Sequence, residues 1–224
     1  MPSSVSTKRA ASSESPEAVV DTVVLRYFLL VDELDLLRAL VSSPLAVPRI
    51  VYDPDEPPDV PEEARSEITR SIGYQRRVSE DPMRSAPARQ QARSNAGRLE
   101  AAAALHAEGT LEVIDLADRE LALVGRLTGL ATCSEYGLRV PLGAGEAACL
   151  AIAIQRDLAL VTDDGDALRA LGHLRPGHRY ERIRRLLIRA VDEGLRTERG
   201  ANEIHREMRR LGFWDREEPF PTGS

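Results

Sequence analysis

Lysine is nearly absent from this 224-residue chain: Lys8 is the only one among 30 basic residues, and arginine supplies the rest. Haloacid-dehalogenase-like phosphotransferases need an Asp-x-Asp pair and a lysine, and receiver domains need a lysine. Here Thr22 and Val23 follow Asp21 and the sole lysine lies in the tail, so both readings are poor. No GK[ST] occurs, which excludes a P-loop nucleotide enzyme. His106, His173, His178 and His205 form no HExxH or similar pattern and read as surface or capping residues, so zinc chemistry on nitrogen and sulfur drops out. Cys133 and Cys149 stand far from any CxxC, on segments that look core-facing; packed free thiols and a cytoplasmic location are expected. Aromatic residues make up only 4%, which argues against a broad base-stacking surface. No apolar run approaches the roughly 20 residues that span a bilayer, so no membrane role is expected. Residues 1–16, MPSSVSTKRAASSESP, are positive without an apolar stretch behind them; they read as a disordered tail, not a secretory signal.

What the chain does have is an ordinary globular balance, 42% hydrophobic and 29% charged, enough for one α/β domain with extensions. The net charge of −6 argues against nucleic-acid binding through bulk positive charge. Arginines nevertheless crowd into RPGHRYERIRRLLIRAVDEGLRTERG, while YDPDEPPDVPEE (52–63) is acidic. Strand and helix patterns alternate along the chain. EAVVDTVV starts with a buried strand that ends at Asp21, and apolar residues at helical spacing run on from Leu25 to Leu40. SSPLAVP supplies a second strand. Pro48 suits the first turn of a following helix, which would place Asp53 one turn in. Residues 54–61 form a proline-rich acidic loop, and 62–107 hold two helices broken around EDPMRSAP, so 54–108 reads as a helical insertion or cap. TLEVIDL, ADRELALVGRLTGL, GAGEAACLAIAIQRD and LALVTDD continue as strand, helix, helix and strand. Residues 176–214 form a C-terminal helical extension and 215–224 a tail. The expected fold is therefore a Rossmann-like three-layer α/β domain with a parallel sheet, without internal repeats.

Ligands of open α/β sheets bind beyond the carboxyl ends of the strands, and acids gather there. Asp21 ends the first strand; Asp163, Asp164 and Asp166 follow the strand LALV; Glu146 opens the helix after the turn made by Gly143 and Gly145. Any one of these acids suits a helix cap or the positive end of a helix dipole, worth less than about 1 kcal/mol. One aspartate is enough for a cap. Several carboxylates converging at one sheet edge repel unless protonated or neutralised by a cation, and an all-oxygen donor set suits Mg²⁺ or Mn²⁺.

In order and spacing, VVDTVVLRYFLL, LAVPRIVYD, LGAGEAACLAIA and LALVTDDGDALRAL resemble the PIN-domain nucleases, with the bacterial VapC-like toxins most similar, over roughly residues 17–175. The resemblance implies metal-dependent hydrolysis of RNA that leaves a 5′-phosphate, with Asp21, Glu146 and Asp164 as the catalytic acids. Metal ligands are expected at Asp21, Asp53, Glu146, Asp163, Asp164 and Asp166; Pro54 occupies the aligned position of the usual second-helix glutamate, so Asp53 is chosen over Asp55 beside it. Thr162, Arg182 and Arg185 are the candidates for positioning substrate, with Arg184 and Arg189 in the same basic run; a solvated helix face is the equal alternative for these arginines. An antitoxin and a second copy of the chain are the implied partners besides RNA. The rival reading is a catalytically degenerate PIN-fold protein that binds RNA or a protein without cutting.

Overall fold

The computed structural model describes residues 15–41 and 44–221; most of the N-terminal segment read as a disordered tail lies outside them. Five strands form one all-parallel sheet: β1 (Ala18–Val20), β2 (Leu45–Pro48), β3 (Leu111–Ile114), β4 (Ala159–Val161) and β5 (Tyr180–Glu181), in the order β3-β2-β1-β4-β5. The register pairs Val19 with Ala46 on one side and with Leu160 on the other. β1 is thus central, and Val19, Val20, Ala46 and Leu160 have no exposed surface, as parallel strands covered on both faces require. The strand order reverses between β1 and β4, the switch point at which such sheets open a crevice.

Nine α-helices accompany the strands among the described residues. The helix α6 (Ala144–Arg156) packs on β1, β2 and β4, flanked by α5 (Asp118–Thr128) and α7 (Gly165–Leu174). Its run AACLAIA is buried all round, and the small side chains let the helix approach the sheet closely. The helix α1 (Thr22–Leu30) gathers α2 (Leu34–Val41), α3 (Glu67–Glu80) and α4 (Ala86–Ala107). The last two, α8 (Ile183–Asp192) and α9 (Glu198–Arg210), pack on each other, and α8 also packs on α2. The segment read as a helical extension therefore supplies the edge strand β5 as well. Residues beyond α9 fold back: Phe220 N–H donates to Asn202 Oδ1 at 3.1 Å and Asn202 Nδ2 donates to the Phe220 carbonyl at 2.9 Å.

Two local expectations need correction. The apolar periodicity from Leu25 to Leu40 spans two helices, because Asp32 adopts φ 60°, a left-handed conformation that aspartate tolerates better than most residues. Pro48 does not start a helix. It ends β2, and its carbonyl accepts from the N–H groups of Val51 and Tyr52 to close a single turn. Pro54, Pro57, Pro58 and Pro61 then lack the donors a helix needs, so 52–66 runs as a loop with one 3₁₀ turn at Glu62–Ala64. Helix α3 begins only at Glu67, after Ser66. Among the described residues no helix is long and apolar enough to cross a membrane, and Cys133 and Cys149 are buried free thiols.

Candidate active site

Asp21 lies where β1 turns into α1, tied to the neighbouring strand by its N–H bond to the Val161 carbonyl at 3.0 Å. Its carboxylate is fully buried and does not cap α1. The Thr162 hydroxyl donates to Oδ2 at 2.7 Å, whereas Oδ1 is buried with no hydrogen-bond partner. Burial pushes its pKa from the ordinary 3.8 up to about 7; the Thr162 hydrogen bond opposes this and the charges of Glu146 and Glu67 add to it.

Glu67 is the acid that sequence reasoning missed. Its N–H donates to the Ile50 carbonyl at 3.0 Å and the next N–H to Val51 at 3.0 Å, so the start of α3 is pinned to the turn just beyond β2. The chain leaves that point at Val51, makes the proline-rich excursion and returns at Glu67. The Thr22 hydroxyl donates to Glu67 Oε2, and Arg70 Nη2 stands 3.7 Å from Oε1. The signal in the sequence was Ser66 followed by an acid at the head of an amphipathic helix, a helix-start pattern that the continuous polar run from Glu62 concealed.

Glu146 reaches the same place from the first turn of α6. Its pKa is raised by burial, and Glu67 and Asp164 push it further up while Arg70 pulls it down. The glycines of GAGE explain how two carboxylates fit here. A Cβ on Gly145 would lie 2.5 Å from both carboxylate oxygens of Glu67, and one on Gly143 would collide with the Glu146 carboxylate. Each glycine clears the space that one acid occupies.

Asp164 stands at the rim. It caps α7, with Oδ1 accepting from Ala167 N–H at 2.6 Å, and its own N–H donates to Thr162 Oγ1 at 3.1 Å. Thr162 thereby links the acids of β1 and β4. The structure separates the remaining sequence candidates from this cluster. Asp163 is buried and points the other way, accepting from Arg182 Nε at 3.1 Å and Ile183 N–H at 2.8 Å; burial raises its pKa against both contacts. Asp166 pairs with Arg169. Asp53 lies in the loop, not in a helix, and accepts from Arg49 Nη1 at 2.6 Å; Arg49 also holds Asp115 and Asp55. Arg185 stands 3.4 Å from Glu181, Arg184 holds Glu217, and Arg189 is bound to Glu181 and the Leu40 carbonyl.

A groove of about 610 Å³ opens beside the acids, with Thr22, Arg26, Glu67, Arg70, Tyr74 and Glu146 among its lining. The segment read as an insertion therefore builds one wall and contributes one acid. Among the described residues no three or more His, Cys, Asp or Glu side chains stand in a ready-made metal-holding group. Carboxylates gathered in one place repel unless they are protonated or neutralised by a cation. The residues fit such an ion on two grounds: the donors are all carboxylate oxygens, and Asp21 Oδ1 is a buried acceptor still unmatched. Comparisons of the chain with known protein families, curated proteins and solved structures gave no match.

Proposed function

We propose that the chain is a metal-dependent PIN-type endoribonuclease. The observation that carries this reading is the convergence of Asp21, Glu67 and Glu146, with Asp164 at the rim, at the β1/β4 switch point, where the Asp21 acceptor is buried without a donor. Asp21, Glu67 and Glu146 would hold Mg²⁺ or Mn²⁺, with Asp164 contributing from the rim. When bound, such an ion supplies Lewis acidity toward a phosphodiester and lowers the pKa of a bound water.

The chain's own residues supply position and charge. Thr162 fixes the Asp21 carboxylate through Oδ2 and leaves Oδ1 without a protein donor. Thr22 orients Glu67 in the same manner, from the first position of α1. Arg26 and Arg70 line the groove and suit a phosphate-bearing strand. On this reading the protein acts on RNA in the cytoplasm, and an antitoxin and a second copy of the chain are the partners that the resemblance implies.

The test is cleavage of total cellular RNA by purified protein with Mn²⁺, Mg²⁺ or EDTA, beside Asp21→Asn, Glu67→Gln and Glu146→Gln. Cutting that requires metal and is lost in all three variants is expected. RNA that is bound but left intact under every metal condition would turn the reading into the degenerate, non-cleaving one.

A further inference from the structure

At the far end of the chain a turn presents an aromatic ring to solvent among arginines. Gly212, at φ 102°, ends α9, and Phe213 N–H returns to the Met208 carbonyl at 3.0 Å. Phe213 is the anchor, buried edge-on against Tyr27 and His205 with ring centroids at 5.1 and 5.7 Å. With Phe213 turned inward, Trp214 is left outward and 58% exposed. It is the only tryptophan in the chain. Its indole stands over a cleft of about 560 Å³ lined by Arg206, Arg209, Arg210, Phe213 and Arg216.

The charge in this cleft is not balanced locally. Glu218 pairs with Arg206 at 3.2 Å and Glu207 with Arg210 at 3.0 Å. Among the described residues Arg209 and Arg216 have no carboxylate partner; Arg209 Nη1 reaches only the Arg216 carbonyl, at 3.4 Å. The Arg182 guanidinium already stands over the indole, 5.4 Å from the ring centroid, and Asp215 and Glu217 share that neighbouring surface with it. Two unpaired guanidiniums beside an exposed, well-anchored ring form a site of positive charge and π-surface on a protein whose net charge is −6.

We propose that this cleft binds single-stranded nucleic acid, with Arg209 and Arg216 on phosphates and a base stacked on Trp214. An acidic peptide would satisfy the arginines and leave the indole wet, whereas an unpaired nucleotide offers both a planar face and a phosphate. Paired bases keep their faces inside the duplex, which selects for single strands. The cleft lies outside the carboxylate cluster, and the proposal does not depend on catalysis there.

The experiment is a titration of the full chain with a short oligouridylate in EDTA at low salt, following tryptophan fluorescence, which reports Trp214 alone. Quenching is expected. Anisotropy of a labelled oligouridylate then compares variants: Trp214→Ala should weaken binding by at least about 5-fold and Trp214→Phe should retain most of it. Arg209→Gln and Arg216→Gln should each reduce the slope of log affinity against log salt by about 0.7. Absence of quenching, unchanged affinity in Trp214→Ala, or equal quenching by polyglutamate or duplex RNA would overturn the proposal. Binding is read in EDTA and through Trp214, so loss of cleavage leaves this result standing.

Discussion

Replacing Asp21 by asparagine should stabilise the protein at alkaline pH, an unusual outcome for a fully buried polar residue. The reason is the direction of its pKa shift. An aspartate in the unfolded chain ionises near its ordinary 3.8, whereas burial holds the folded carboxyl up at about 7. Between those values the folded state retains a proton that the unfolded state has released, so stability falls as pH rises through this window. Above about 7 the full penalty applies, and a shift of this size corresponds to about 4 kcal/mol. Asparagine is nearly the same shape and carries no charge. The gain of Asp21→Asn over wild type should therefore grow by about 4 kcal/mol between about pH 4 and about pH 8, on the order of 10 °C in Tm for a chain of this length. Any constant cost of placing an amide where Oδ1 sits cancels in that difference. The assay is urea denaturation of both proteins across the pH range, in EDTA. Repeated at alkaline pH with Mn²⁺, it should show the wild type recovering stability while the variant gains little, since a bound cation removes the same charge penalty. A stability difference that does not change with pH would refute the assignment of a strained carboxylate to Asp21.

Gly145→Ala should reduce cleavage at least about 10-fold by pushing the Glu67 carboxylate away, measured beside Gly97→Ala in α4. The latter meets nothing within 4 Å and should stabilise the chain by about 0.5–1 kcal/mol in urea denaturation. Thr162→Val should lower stability by about 1–3 kcal/mol and drive the Asp21 pKa higher still, moving the acid limb of the cleavage profile upward, while Thr162→Ser restores both. Asp163→Asn should destabilise the chain by roughly 1–3 kcal/mol without changing the Mn²⁺ concentration at half-maximal cleavage, because its contacts are Arg182 and the start of α8. Asp53→Asn should leave cleavage unchanged and move stability by less than about 1 kcal/mol, the scale of a partly exposed ion pair with Arg49.

Local pattern by itself determined the parallel α/β architecture, since buried strands separated by helices admit few other solutions, and it located Asp21 at the end of β1, Glu146 in the first turn of α6 and Asp164 just before α7. Those acids sit at strand ends and helix starts, where a few neighbouring residues decide the backbone. The two-residue strand β5 was illegible because so short a strand has no periodicity of its own and exists through pairing with β4. Asp163 and Asp164 looked alike in sequence; the extended backbone after β4 turns one toward α8, while the other caps α7 at the rim of the cluster. Glu67 depended wholly on tertiary structure. Its distance along the chain from β2 concealed a hydrogen-bonded return to Ile50 and Val51, and the space for its carboxylate was made by Gly145 on another helix. Sequence distance measures the length of a loop, while the position of a side chain is set by where that loop closes.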